Sequence, residues 1–430
     1  MFRQPDLLDW SVLADDDWAQ LDLPEGQVET REAVRSSEWR ILVGVVRALA
    51  LATAIVALTG ATFTPPHEQS PWAYETIMPT VRRESQAWVT RDEQLLSSVI
   101  DPLVSARFQD EWRVGWASDE NPTPQYSTTL LVAEPVGDLI RVQVRIQQEL
   151  PQWWLSSPYR ETRFYRPTTA GWLRTVPATE FWGQARAVET AHLRFEFYDY
   201  DFQNVMDIVD RVELAYVRAH GWLGLVPPKG DEKITVALLP ELVRGWGNSG
   251  YRLQVTSPAL AKVPDGLSDA DYLVQQIIGR LSSRLLGQLL ADHERNNAYQ
   301  WRTLLWALSG WWRTELIGQR SSWHVQAQTL FRGRLLAAYP LRLNQIENGS
   351  PSWRAEQGSM MVEYMTAESV IEYALNRYGR TRLADLVMAL NDYGSWVGLV
   401  PHLYDESAAE FETGWNQYLA EGYGVDGLRP

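Results

Sequence analysis

One stretch constrains this chain before any other. Ile41 to Phe63 (ILVGVVRALALATAIVALTGATF) runs for 23 residues with a single charge, Arg47. About 20 apolar residues cross a bilayer as a helix, and an arginine near one end can snorkel to the interface. The run therefore predicts a transmembrane helix over 41–63. Arg31, Arg35 and Arg40 precede it, whereas Thr64 to Thr80 holds no Lys or Arg. The positive-inside rule then places residues 1–40 in the cytoplasm and everything after Phe63 outside. A core helix of this length would show a polar face. A cleaved signal peptide would open on a short basic segment, whereas 40 residues with ten acids and four arginines come first.

Composition narrows the chemistry. The 430 residues carry 39 basic and 54 acidic side chains, a net charge of −15, which argues against nucleic acid as a partner. There is no cysteine, which removes disulfides, thiolate metal sites and cysteine nucleophiles together. The six histidines (His67, His192, His220, His293, His324, His402) are too far apart in sequence for a local metal-binding pair on one helix. The 21 Trp are spread along the chain, as in core seams rather than a sugar platform. The N-terminal tail (LLDWSVLADDDWAQLDLPEG) reads as a solvated, disordered acidic segment. Its spaced Trp10 and Trp18 are what a cytoplasmic partner would dock on.

Two modules follow a linker at 64–75. Residues 76–186 begin helical, with Trp88, Leu95, Leu96, Val99 and Leu103 at helix spacing. They continue as antiparallel strands over Tyr126 to Val132 and Leu139 to Ile146, joined by Glu134-Pro-Val-Gly-Asp138. A second hairpin runs from Glu161 to Tyr165 and from Trp172 to Thr175 around a Pro167–Gly171 turn. The Phe164 to Arg174 hairpin (F-Y-R-x-x-x-x-G-W-L-R) and the close Thr179-Glu-Phe-Trp-Gly183 resemble the nuclear transport factor 2-like cone fold. That resemblance implies an α+β cone, with Trp112, Trp116, Trp153 and Trp154 as candidate lining or filling.

Residues 190–430 predict a strand at His192 to Phe197, a helical stripe from Phe202 to Tyr216 ended by Gly221, and strands at Lys233 to Leu239 and Tyr251 to Val255. The pattern is helical from Asp269 onward. This order, the helix Trp306-Ala-Leu-Ser-Gly-Trp-Trp312 and the closing run resemble the gluzincin metallopeptidases of the peptidase MA-like type. The closing run comprises Glu368 to Tyr373, Arg377-Tyr-Gly379, Ser407-Ala-Ala-Glu-Phe-Glu412 and Trp415 to Leu419. The resemblance implies H-E-x-x-H on the helix Asp271 to Leu290 and a third ligand, Glu, on the next. The two histidines hold zinc on one helix face, and the glutamate between them activates water. At those positions stand Gly279 or Arg280, then Ser283 or Arg284, and Ser309 takes the place of the glutamate. No catalytic residue, metal or cofactor is therefore assigned. His293-Glu294, followed by Asn297 where a second histidine would stand, and Glu315 form the alternative ligand set of an active enzyme. In active relatives a later tyrosine stabilises the oxyanion, and Tyr364 or Tyr373 occupies that region. The family's cleft-side strand accepts extended peptide, and Tyr251, Arg252, Leu253, Gln254 and Val255 would form that edge.

The expected fold class is therefore α+β: a single N-terminal transmembrane helix, an α+β cone-type domain, then a gluzincin-like domain with a small mixed sheet and a larger helical half. The expected function is that of a membrane-anchored protein of the bacterial envelope, with an outer degenerate metallopeptidase domain that binds peptide or protein. The alternatives are an active metal-dependent peptidase and a transmembrane signalling protein.

Overall fold

A computed structural model describes residues 70–104, 109, 125–149, 158–227, 233–243, 252–291, 298–318, 322–347 and 357–423. They fold as a mixed α+β protein. One expectation is corrected here: among the described residues no helix is long and apolar enough to cross a membrane. The 41–63 run, with the tail before it, lies outside them, so the described fold does not open on a transmembrane helix. The long helices that are described each keep polar side chains on a face, which a bilayer would not tolerate.

The first module opens with α1 (Pro71–Thr90), whose N-cap Ser70 accepts from the Ala73 amide. It stops at Arg91, which adopts a left-handed φ of 52°. A short α2 (Glu93–Ser97) restarts under Asp92, which caps the Leu95 amide. The continuous helical spacing read from Trp88 to Leu103 is thus broken. Ala87, Leu96, Val99 and Ile100 form a satellite core while Leu103 stands in solvent. Next come β1 (Gln125–Val136), β2 (Leu139–Glu149), β3 (Tyr159–Thr168) and β4 (Gly171–Thr175), an antiparallel meander in that order. The β1–β2 turn tightens onto Gly137, whose φ of 60° explains the glycine there. Ile140, Val142, Val144 and Ile146 alternate inward from β2 and meet Ala73, Ile77 and Val81 of α1.

After a short α3 (Thr179–Trp182), β5 (Ala185–Glu189) pairs antiparallel with β6 (Leu193–Tyr198). Then α4 (Phe202–Trp222) crosses back to β7 (Ile234–Leu239), which runs parallel to β6. The last strand of this sheet, β8 (Arg252–Thr256), runs parallel to β7. The chain then returns to the first sheet. Three residues, β9 (Lys262–Pro264), pair with the start of β3. The outer face of the first sheet is held to the second module at further points. Arg141 donates to Tyr200, and Arg160 and Arg145 pair with Asp269 and Asp265.

The helical half comprises α5 (Asp269–Ala291), α6 (Arg302–Ile317), α7 (Ser322–Ala338), α8 (Gln357–Tyr378), α9 (Leu383–Asp392), α10 (Trp396–Tyr404) and α11 (Ala408–Tyr423). Their apolar faces share one core with the second sheet, centred on fully buried Trp301, Trp312 and Trp415. The closing sequence run is explained by this packing. Tyr378-Gly379 ends α8 through a glycine at φ 94°. Ser407 and Glu410 form a reciprocal capping box that starts α11. Phe411, Trp415 and Leu419 point into the core, and the Trp415 indole donates to Ser369.

Candidate functional site

Of the positions singled out on α5, Gly279 faces α6. Arg280 and Arg284 lie one turn apart and half-buried. The Ser283 hydroxyl turns back to its own helix and donates to the Gly279 carbonyl at 3.0 Å. A Cβ built on Gly279 would lie 3.6 Å from Cδ of Arg313, so the arginine of α6 packs across α5 at that point. Burial lowers the Arg313 guanidinium to about 10, although Tyr364 and Glu368 favour its charged form. Ser309 stands one residue before Gly310 on the same helix, half-buried.

Gly310 shows why a glycine is required in this helix. A Cβ there would sit 1.9 Å from the Tyr364 hydroxyl. Tyr364 is buried, so it cannot swing away. Gly310→Ala is expected to cost about 1–3 kcal/mol by overpacking. Gly287→Ala on α5, where a Cβ would meet nothing within 4 Å, is expected to stabilise by about 0.5–1 kcal/mol through helix propensity. Urea unfolding of the two variants checks the contrast.

Beneath this contact lies a polar cluster that no local sequence signal announced. His324 Nε2 on α7 is 2.9 Å from the Glu368 carboxylate on α8 and 3.2 Å from the Tyr364 hydroxyl. All three side chains are buried. Burial and the Glu368 carboxylate push the Tyr364 phenol well above its usual range, so it stays protonated. The cluster joins two helices, and its members find partners in one another, which is how a buried polar group avoids its desolvation penalty. Tyr373 serves packing: it lies edge-on to Phe411 at 5.0 Å, and its hydroxyl occupies the space beside Gly414.

Of the alternative ligand set only Glu315 is among the described residues. Glu315 pairs with Arg380 at 2.7 Å, while His293 and Glu294 lie outside the described residues. Among the described residues no group of three or more His, Asp or Glu side chains is placed to hold a metal ion. Trp112, Trp116, Trp153 and Trp154 also lie outside the described residues.

The strand expected to form a peptide edge is β8. Tyr251 lies just outside the described residues. Leu253 and Val255 point into the core, while Arg252 and Gln254 alternate to the other face, half-exposed. Arg252 is anchored to Glu196 of β6 at 2.6 Å. Among the described residues this strand is terminal in the sheet order β5-β6-β7-β8, and α5 packs against it. Compared with protein-family models and with curated proteins, the chain matches none.

Proposed function

We propose that this protein binds extended peptide along β8 and does not cleave it, a peptide-holding or scaffold role for a metallopeptidase-like frame. The observation that carries the reading is the end position of β8 in its sheet, directly beside α5. A terminal strand offers one row of backbone donors and acceptors to an added strand, and alternate side chains then give selectivity. Arg280, Ser283 and Arg284 on α5, with Ser309 on α6, support the second half of the reading. A guanidinium is permanently cationic and cannot donate a lone pair to zinc.

Hydrogen exchange of the full chain with a library of extended peptides tests the reading. Binding peptides are expected to slow the amides of Arg252 to Thr256 and to leave those of β2 unchanged. No cleavage is expected after incubation with zinc. One tightly held zinc per chain with chelator-sensitive cleavage would overturn the proposal, and so would protection confined to other strands.

A further inference from the structure

Helix α4 carries an apolar stripe that the core does not use. Its inner face buries Val205, Ile208, Val212, Tyr216 and Ala219 against the sheet and α5. Around the helix beside that face, Phe202, Met206, Leu214 and Val217 are each 41–52% exposed. At 100° per residue these four fall within about a third of the helix circumference. Just past the helix end Val226 is exposed as well. Isolated exposed apolar residues are ordinary; four on one helical face mark a contact surface.

The charges beside the stripe identify its occupant. Asp210 and Arg218 are both exposed, and neither has an ion-pair or hydrogen-bond partner among the described residues. They lie four residues before and four residues after Leu214. The other charges on this face are already engaged: Arg211 with Asp271 of α5, and Asp207 with Gln203.

We propose that this face pairs with the same face of a second copy of the chain, the two α4 helices running antiparallel about a two-fold axis at Leu214. In that register each Asp210 comes level with the other copy's Arg218, which closes two equivalent ion pairs. The Leu214 side chains meet each other at the centre. Met206 comes level with Trp222, a half-buried indole. A two-fold contact must be self-complementary in this way, each position finding its counterpart reflected about the axis. A helix of 21 residues is about 31 Å long. One helix pair of that length gives an interface at or below about 1,200 Å², so the dimer is reversible and concentration-dependent.

Sedimentation of the full chain across a concentration series, in a non-ionic detergent that disperses the apolar 41–63 run, tests the proposal. The wild type is expected to pass from one to two chain masses. Leu214→Arg is expected to weaken association at least about thirtyfold, as for a central anchor residue, with an unchanged unfolding midpoint because the side chain is solvent-facing in the monomer. Asp210→Arg alone is expected to weaken the dimer, and adding Arg218→Asp to restore it. A wild type that stays monomeric overturns the proposal. So does a double reversal that fails to restore association. Association that persists in Leu214→Arg places the contact elsewhere, the 41–63 run included, and overturns it equally.

Discussion

Glu84→Ala is expected to destabilise the protein by about 3–5 kcal/mol, the penalty of leaving a buried charge uncompensated. Glu84 sits on α1 with no solvent exposure, inside the first module. Its carboxylate takes the Tyr165 hydroxyl at 2.7 Å and ion-pairs with Arg174 and Arg163. Glu161 closes the network through Arg163 at 2.7 Å and through Arg174. Glu161, Arg163 and Tyr165 lie at alternate positions of β3, so one face of one strand supplies three members. Two carboxylates and two guanidiniums balance, and the group carries no net charge. Burial works to raise the Glu161 carboxyl, but Arg163 and Arg174 outweigh it and hold the group at about 2. Removing Glu84 leaves two cations facing one anion in a water-excluded space. Tyr165→Phe deletes one neutral donor from the same network, and its expected cost is about 1 kcal/mol. Urea unfolding of both variants measures the difference; equal, small losses would show that water reaches the network.

The second large effect is a pH dependence centred on Asp201. This residue ends the turn between β6 and α4 and is 1% exposed. Burial raises its carboxyl from 3.8 to about 7, helped by the like charge of Asp269 and opposed by the hydrogen bond from Ser257. The Ser257 hydroxyl donates to it at 3.0 Å. Asp269 is itself paired with Arg160 of β3, and the neighbouring Tyr200 is engaged by Arg141. No cation faces Asp201 directly among these groups. Below pH 3.8 the side chain is protonated in both folded and unfolded chains, and its contribution is complete. As pH rises from there to 7 the unfolded chain ionises first, so stability falls. Above 7 the folded state ionises too and nothing more is lost.

Asp201→Asn keeps an acceptor for Ser257 and cannot ionise. It is expected to match the wild type in acid and to exceed it by up to about 4 kcal/mol at about pH 8, the energy of the full shift. Glu161 and Asp101, both held at about 2, lose their stabilising charge in acid and act in the opposite sense. The informative quantity is therefore the difference between variant and wild type at each pH. A difference that stays constant from acid to base would mean that the Asp201 carboxyl titrates alike in the folded and unfolded chains.

Much of the element order was readable from local pattern. Alternation in Leu193–Tyr198 and Ile234–Leu239, and the helical stripe of α4, reflect periods of two and 3.6 that burial of one face imposes directly. The break at Arg91 escaped because apolar spacing resumes in phase after it. The strand β9 escaped because three residues carry no periodicity, and its partner Glu161 lies about a hundred residues away. The cluster of His324, Glu368 and Tyr364 escaped for the same reason. A lone histidine has no local signature, and its acid comes from another helix.

Residue types along the chain narrowed the chemistry: no cysteine, and no two histidines close in sequence. They also settled the capping box at Ser407 and the glycine that ends α8, because both are built from a few consecutive residues. Only the tertiary structure decided which buried charges meet, whether β8 ends its sheet, and that Gly310 exists to admit a tyrosine hydroxyl. Those outcomes depend on contacts between segments far apart in sequence. A buried polar group must find its counter-group wherever packing places one, and no local period encodes that meeting.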